Sequence, residues 1–140
     1  MHWLARAAVV GSVALVGCVD ADERAEFTYV HSAILVPSCA TSNCHSDLGS
    51  SFIGNAEAGL ALDDRESAYM VLTGHICEGT VPPDQPLPDR NFVEPGDPEA
   101  SQLVRMIRGI DTYRMPPDTP LPEGEIQAIE EWIRRGALCD

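Results

Sequence analysis

Apolar side chains recur at helical spacing in four segments of the chain. These segments are residues 27–35, 63–72, 97–108 and 123–135. A helix breaker follows each of them in turn: Pro37, Gly74, Gly109 and Gly136. The helix starts are equally clear, since Asp63 or Asp64 can cap the second segment and Asp97 precedes a proline at the start of the third. The pattern therefore predicts about four helices.

The last of these helices carries the most regular apolar face, and long loops separate the helices. That face consists of Ile126, Ile129, Trp132 and Ile133. Residues 74–96 and 112–122 are rich in proline and show no period, and loops of such length in a compact domain usually have a function. Because no segment shows the alternation of a strand, we expect an all-α domain, a small bundle with long Pro-rich loops.

The first residues have the build of an export signal. Residues 1–17 combine Arg6 with a run of apolar and small residues that is too short to span a bilayer. The run ends at Cys18 in the sequence Leu-Val-Gly-Cys, which resembles the bacterial lipobox, where the Cys is lipidated. An ordinary signal peptide with an incidental Cys is the alternative. The expected organisation is a signal peptide over 1–17, a lipid-anchored acidic tether over 18–26 and one domain over 27–140.

Charge excludes two classes of partner. The 140 residues include 22 acidic side chains against 9 basic ones, all Arg, and the net charge is −13. Binding to nucleic acid and electrostatic docking to an anionic membrane both need clustered cations, so we expect contact with a membrane only through the lipid anchor. Aromatic residues make up only 6% of the chain, which favours a core completed by disulfides or a cofactor.

Export decides how the remaining cysteines are interpreted, because few thiols stay free outside the cytosol. These cysteines are Cys39, Cys44, Cys77 and Cys139. They allow three disulfide pairings, or they allow two to bind a cofactor while the other two pair. A structural zinc site would need four N or S ligands in tight pairs, and His75 with Cys77 makes a poor second pair.

The strongest candidate chemistry lies where Cys39 and Cys44 precede His45. This order resembles the c-type haem attachment motif, in which two thiols add to the haem vinyl groups and the His binds the iron. The common motif has two residues between its cysteines, whereas four separate Cys39 from Cys44. Longer spacings do occur in c-type cytochromes, and a disulfide loop is the alternative use of this pair.

Met115, in the second Pro-rich loop, is the candidate sixth ligand of the iron. Small c-type cytochromes commonly take this ligand from such a loop, and Met/His ligation raises the reduction potential. Pro116 and Pro117 stiffen the loop, so that the sulfur is held with little loss of chain entropy. The alternative sixth ligands are Met70, Met106, His31 and His75.

The order of these elements resembles the class I cytochrome c fold. A run of residues is similar to the short planctomycete-type cytochrome c-like domain of bacterial surface proteins. This run consists of Val93-Glu94-Pro95-Gly96-Asp97-Pro98, Ser101-Gln102-Leu103, Ile107, Met115-Pro116-Pro117, Leu121, Glu125-Ile126, Ile129, Trp132-Ile133 and Gly136-Ala137. The resemblance covers about residues 27–137, which is nearly all of the expected domain.

The resemblance implies a cytochrome c-like bundle with one covalent haem c. Cys39 and Cys44 would carry the thioether bonds to the haem. His45 and Met115 would be the axial ligands of the iron, and Trp132 would pack on the first helix.

The resemblance also implies an electron carrier and not an enzyme. It would be anchored to the bacterial envelope, at the outer membrane facing the periplasm or at the cell surface. Its acidic charge would favour a redox partner protein with a basic docking face. Cys77 and Cys139, which the haem leaves over, are expected to pair. The alternative is a haem-free surface lipoprotein with a binding or structural role, held by that disulfide and by one between Cys39 and Cys44.

Overall fold

A computed structural model of the chain describes residues 20–42, 44–46, 60–77 and 91–140. The expected signal peptide, Cys18 and most of the first Pro-rich loop lie outside these ranges. The described residues form an all-α structure without a strand. No helix in this part of the chain combines the length and the apolar character that crossing a membrane requires.

Four helices organise the described residues. Helix α1 is continuous over residues 27–38 and consists of Phe27–Tyr29, Val30–Leu35 and Val36–Ser38. Helices α2, α3 and α4 are Arg65–Thr73, Gln102–Arg108 and Glu123–Arg134. The number of helices matches the number that the apolar pattern predicts.

A short 3-10 turn, Glu23–Ala25, precedes α1. Ala25 is buried, and Arg135 Nη2 donates to Asp22 Oδ1 at 2.7 Å. Part of the segment interpreted as a tether therefore packs against the end of α4.

Helix α1 continues past Pro37, where the sequence predicts its end. A proline inside a helix cannot donate to the carbonyl four residues earlier, and its ring crowds that carbonyl. In α1, Val30–Leu35 is wound as a π-helix, and the N–H of Ala40 donates to the Leu35 carbonyl five residues back at 2.9 Å. This wider winding leaves room for the proline and delivers Cys39 at the end of the helix.

Helix α2 has the ends that its sequence predicts. Asp64 is the N-cap, and its Oδ1 accepts a hydrogen bond from the Ser67 N–H at 2.9 Å. Gly74 ends the helix with a φ of 73°, a left-handed conformation that favours glycine. Ala68 and Leu72 face the core as expected.

We expect Asp64→Ala to lower the free energy of unfolding by about 1 kcal/mol near neutral pH, as loss of an N-cap usually does. The hydrogen bonds from Ser67 hold the pKa of the Asp64 carboxyl below its ordinary value. The carboxylate therefore stabilises the fold above about pH 4, and this contribution is lost as the pH falls through the lowered pKa of the folded state. Urea unfolding of both proteins at several pH values measures the effect. Their stabilities should converge in acid, and a difference that does not change with pH would contradict the role of the charge.

Helix α3 begins later than its sequence predicts. The Asp-Pro-Glu signal at Asp97 indicates a start there, but the helix begins at Gln102. Asp97 caps a turn instead, since its Oδ1 accepts the Ala100 N–H at 3.0 Å. Ser101 is buried, and its Oγ donates to the Asp97 carbonyl and accepts from the Glu94 N–H. These bonds fix the turn to the preceding chain, so the predicted start was wrong.

Helix α4 lies at the centre of the core. Trp132 is fully buried, and its ring centroid lies 5.1 Å from that of Phe27 on α1. The Trp132 Nε1 donates to the Leu138 carbonyl at 2.8 Å. The whole predicted apolar face is buried, namely Ile126, Ile129, Trp132 and Ile133. The contact between Trp132 and the first helix, which the resemblance implies, is present.

Residues 136–140 cross the N-terminus of α1, and we call them the C-terminal clasp. Asp140 Oδ1 accepts the Phe27 N–H at 2.7 Å, and the Asp140 carbonyl accepts the Thr28 hydroxyl at 2.6 Å. Arg65 Nη2 donates to the same carbonyl at 2.7 Å. Asp140 thus caps the first helix from a distant part of the chain, and Arg65 ties this cap to α2.

Cys77 and Cys139 lie at disulfide-bonding distance, as the sequence predicts. Their Cα atoms are 5.3 Å apart, within the range that a disulfide spans. The pair closes a sequence separation of 62 residues and connects the C-terminal clasp to the chain after α2.

We expect the double variant Cys77→Ser, Cys139→Ser to lose about 4 kcal/mol of unfolding free energy, because the unfolded chain gains the freedom that this loop removes. Urea unfolding of the oxidised protein, the reduced protein and the double variant measures the loss. The reduced protein should match the double variant. Equal stability of all three would contradict a stabilising disulfide.

Candidate functional site

The loop after α1 closes on itself around Cys39, Cys44 and His45. The Cys44 N–H donates to the Thr41 carbonyl at 2.9 Å, and the His45 N–H donates to the Cys39 carbonyl at 3.1 Å. Because the second bond joins the first cysteine to the histidine, it brings the two ends of the motif together despite the four residues between the cysteines.

Leu62 ties this loop to the core. The Leu62 N–H donates to the His45 carbonyl at 2.8 Å, and the Leu62 carbonyl lies 3.1 Å from Nε2 of His31. His31 is buried on α1. Its imidazole therefore supports the loop from within the core, a packing role and not that of an iron ligand.

Met115 reaches the same region from the loop after α3. Its N–H donates to the Met106 carbonyl at 3.0 Å. Gly109 ends α3 with a φ of 66°, and a Cβ at this position would lie 3.3 Å from the Cβ of Arg114. The left-handed turn at Gly109 thus lets the chain return closely along α3, which fixes the backbone of Met115.

The two loops together line one cavity of about 210 Å³. Its lining consists of Ser38, Cys39, Cys44, His45, Met115, Pro116 and Pro117. All four residues that the resemblance assigns to haem therefore lie at one place. The cavity brings together two thiols, an imidazole and a thioether, of which the sulfur groups are soft ligands and the imidazole suits iron.

Burial governs the chemistry of Cys39. Burial first, and then the neighbouring Cys44 and Glu125, raises the pKa of the Cys39 thiol to about 11. The thiol therefore stays protonated at neutral pH. Cys39 and Cys44 are free and not bonded to each other. Because the thiolate is the reactive form, the raised pKa makes the Cys39 thiol itself a poor nucleophile at neutral pH.

Two buried polar atoms near this region lack a hydrogen-bond partner among the described residues. They are Nδ1 of His45 and Oε2 of Glu125. Buried polar atoms are nearly always satisfied, so such exceptions mark candidate functional positions. The sequence gives no sign that Glu125 belongs here, because an acid in the first turn of α4 is ordinary for a helix N-terminus. Only its proximity to Cys39 in the fold reveals it.

The alternative iron ligands lie elsewhere in the described structure. Met70 and Met106 are on α2 and α3, and His75 is exposed beyond the end of α2. None of these residues, and not His31 either, is in the lining of the cavity. Across the four described ranges, no three His, Cys, Asp or Glu side chains group as a metal cluster.

A larger cavity of about 650 Å³ lies beside α3 and α4. Charged side chains dominate its lining, among them Arg105, Arg108 and Glu130. Arg108 pairs with Glu130 and Glu123, and Arg105 pairs with Asp111. These charges are largely neutralised by one another, and no residue of the predicted site lines this cavity. The smaller cavity is therefore the candidate functional site.

No family model, no curated protein and no solved structure matches this chain. The functional interpretation therefore depends on the residues of the cavity and on the resemblance that they carry.

Proposed function

We propose that the protein is a lipid-anchored monohaem c-type cytochrome that transfers single electrons. The observation that carries this proposal is the convergence of two thiols, an imidazole and a thioether on one cavity. Cys39, Cys44 and His45 share one loop, so their proximity follows from the motif. Met115 belongs to a different loop after α3, so its presence in the same lining is an independent observation in favour of axial Met/His ligation.

The donor set fits haem c chemically. A thioether forms when a thiol S–H adds across a vinyl group, which requires reduced cysteines, and Cys39 and Cys44 are free thiols. Nδ1 of His45 is buried and has no hydrogen-bond partner among the described residues, so none of them holds the imidazole through this nitrogen. The cavity of about 210 Å³ is smaller than the ~300–1,000 Å³ of pockets that enclose a small molecule. The described lining would therefore enclose only part of the macrocycle.

Haem, when bound, supplies an iron that alternates between the ferrous and ferric states. His45 and Met115 would hold this iron in both states. The Met115 backbone is fixed by its hydrogen bond to the Met106 carbonyl, and Pro116 and Pro117 restrict the loop that follows. The two prolines also form an apolar part of the lining, which excludes water from that side and favours the less charged, reduced state.

The net charge and the lipid anchor bear on the redox partner and on the location of the protein. A net charge of −13 favours association with a redox partner that has a basic docking face, and such attraction weakens as salt rises. The acyl group on Cys18 would hold the protein at the bacterial envelope, while the acidic domain itself has no electrostatic attraction to anionic lipid.

Expression of the full chain in bacteria that mature c-type cytochromes tests the proposal. The purified protein is expected to be red, with a sharp Soret band that persists after denaturation because the haem is covalent. The double variant Cys39→Ser, Cys44→Ser should lose this persistent absorbance. The double variant Cys77→Ser, Cys139→Ser is the matched control and should keep it. A colourless wild-type protein would contradict the proposal and favour the haem-free lipoprotein.

A further inference from the structure

The two sulfurs of the Cys77–Cys139 pair lie in different electrostatic environments. Arg65 Nη1 lies 3.2 Å from the Cys77 Sγ, and Nη2 of the same side chain donates to the Asp140 carbonyl at 2.7 Å. The guanidinium also lies over the Phe27 ring, 5.6 Å from its centroid, so it is held from three sides. Glu66 Oε1 also accepts a hydrogen bond from Nη1, at 3.1 Å. It weakens the positive potential at Cys77 without cancelling it. A fixed cation therefore stands beside Cys77.

We propose that this pair is a thiol-exchange site, at which an external dithiol reductant attacks Cys139 and Cys77 is the leaving group. A cation beside a sulfur favours its thiolate, and the sulfur that leaves more readily is the one whose thiolate is more stable. Cys139 is partly exposed and lies between two exposed residues, Leu138 at 58% and Asp140. The attacking thiolate can therefore approach Cys139 from solvent.

The exchange needs no co-reactant besides the dithiol, as the bonds, electrons and protons show. A thiolate of the reductant forms a bond to the Cys139 Sγ, and the Cys77–Cys139 bond breaks with its electron pair on Cys77. The second thiol of the reductant loses its proton and displaces Cys139. The reductant ends as a disulfide, and its two protons end on Cys77 and Cys139.

Opening this bond releases the C-terminal clasp. Cys139 is adjacent to Asp140, which caps α1 through the Phe27 N–H and the Thr28 hydroxyl. Without the covalent tie, the clasp keeps its hydrogen bonds and the packing of buried Ala137, but its last residues are less firmly held and the first turn of α1 loses part of its cap. The state of the thiols is thereby coupled to the order of α1, the helix that directly precedes Cys39. This inference does not depend on whether the cavity binds haem.

Limited reaction of the oxidised full chain with glutathione tests which sulfur is attacked. After a short reaction and an acid quench, free thiols are alkylated with iodoacetamide and the peptides are identified by mass spectrometry. Glutathione is expected on Cys139 with the alkyl group on Cys77, in roughly threefold excess over the reverse, as suits one partly exposed charge. Arg65→Gln should remove the preference and Arg65→Lys, which keeps the charge, should retain it. An even distribution, an excess on Cys77 or no mixed disulfide in the wild-type protein would overturn the proposal.

Hydrogen exchange tests the release of the clasp. After reduction with dithiothreitol, the amides of Phe27 and Thr28 should exchange about tenfold faster or more and should remain less protected than that of Ile129 in α4, whose exchange reports the change in global stability. Asp140→Ala should accelerate exchange at Phe27 without any reductant, because it removes the Oδ1 acceptor. Unchanged exchange at Phe27 and Thr28 on reduction would overturn the coupling of the clasp to the thiol pair.

Discussion

Replacing Met115 by Ala is expected to leave the haem attached but to abolish the sulfur–iron charge-transfer band and to lower the reduction potential. Attachment survives because Cys39 and Cys44, not Met115, would form the thioether bonds. The potential falls because water or a stronger base in place of the thioether favours the oxidised iron. Axial ligands set haem potentials over a range of about 0.8 V, so we expect a decrease on the order of tenths of a volt in a redox titration followed by absorbance.

Met106→Leu is the matched control for this substitution. Met106 is a methionine on the neighbouring helix α3. Its backbone carbonyl accepts the Met115 N–H, and the substitution leaves this carbonyl in place. The absorbance spectrum and the reduction potential of Met106→Leu should therefore equal those of the wild-type protein. If Met115→Ala leaves the band and the potential unchanged, Met115 is not the ligand, and His75→Ala becomes the next variant to measure.

Replacing Trp132 by Ala is expected to lower the free energy of unfolding by about 3–5 kcal/mol, the usual loss for a large aromatic residue in a core. Trp132 is fully buried against Phe27, so the substitution leaves a cavity between α4 and α1. It also removes the donor to the Leu138 carbonyl and so weakens the attachment of the C-terminal clasp. Urea unfolding followed by far-ultraviolet circular dichroism measures the loss without depending on tryptophan fluorescence.

Two further variants on α4 complete this test, one that separates packing from hydrogen bonding and one that serves as a surface control. Trp132→Phe keeps an aromatic ring against Phe27 but lacks the Nε1 donor, so its loss should be smaller than that of Trp132→Ala. Gln127→Ala changes an exposed position on the same helix and should stay within about 0.5 kcal/mol of the wild-type protein. A loss for Trp132→Ala no larger than that for Gln127→Ala would contradict the central place of Trp132 in the core.

The elements that depend on local chemistry could be predicted from the sequence. The Asp64 cap, the Gly74 stop and the apolar face of α4 each need only a few neighbouring residues, and the structure confirms all three. The start of α3 could not be predicted in this way. Its Asp-Pro-Glu signal caps a turn, because buried Ser101 binds the Glu94 N–H and holds that turn to chain outside the helix.

The candidate site was predictable only in part, because some of its features depend on contacts between distant segments. The sequence pattern singles out Met115 and the Cys-Cys-His loop, and the fold places them on one cavity. The π-helical winding that carries α1 past Pro37 to Cys39 has no signal in the apolar period. Glu125 was missed because its role depends on which side of α4 faces Cys39, a property of packing between distant segments.

Mass spectrometry of the exported, mature protein tests the central proposal most directly. The expected mass includes one haem, and the haem is expected on a single peptide that contains both Cys39 and Cys44. The result that would contradict it is a peptide without haem whose mass is lower by the two hydrogens of a Cys39–Cys44 disulfide.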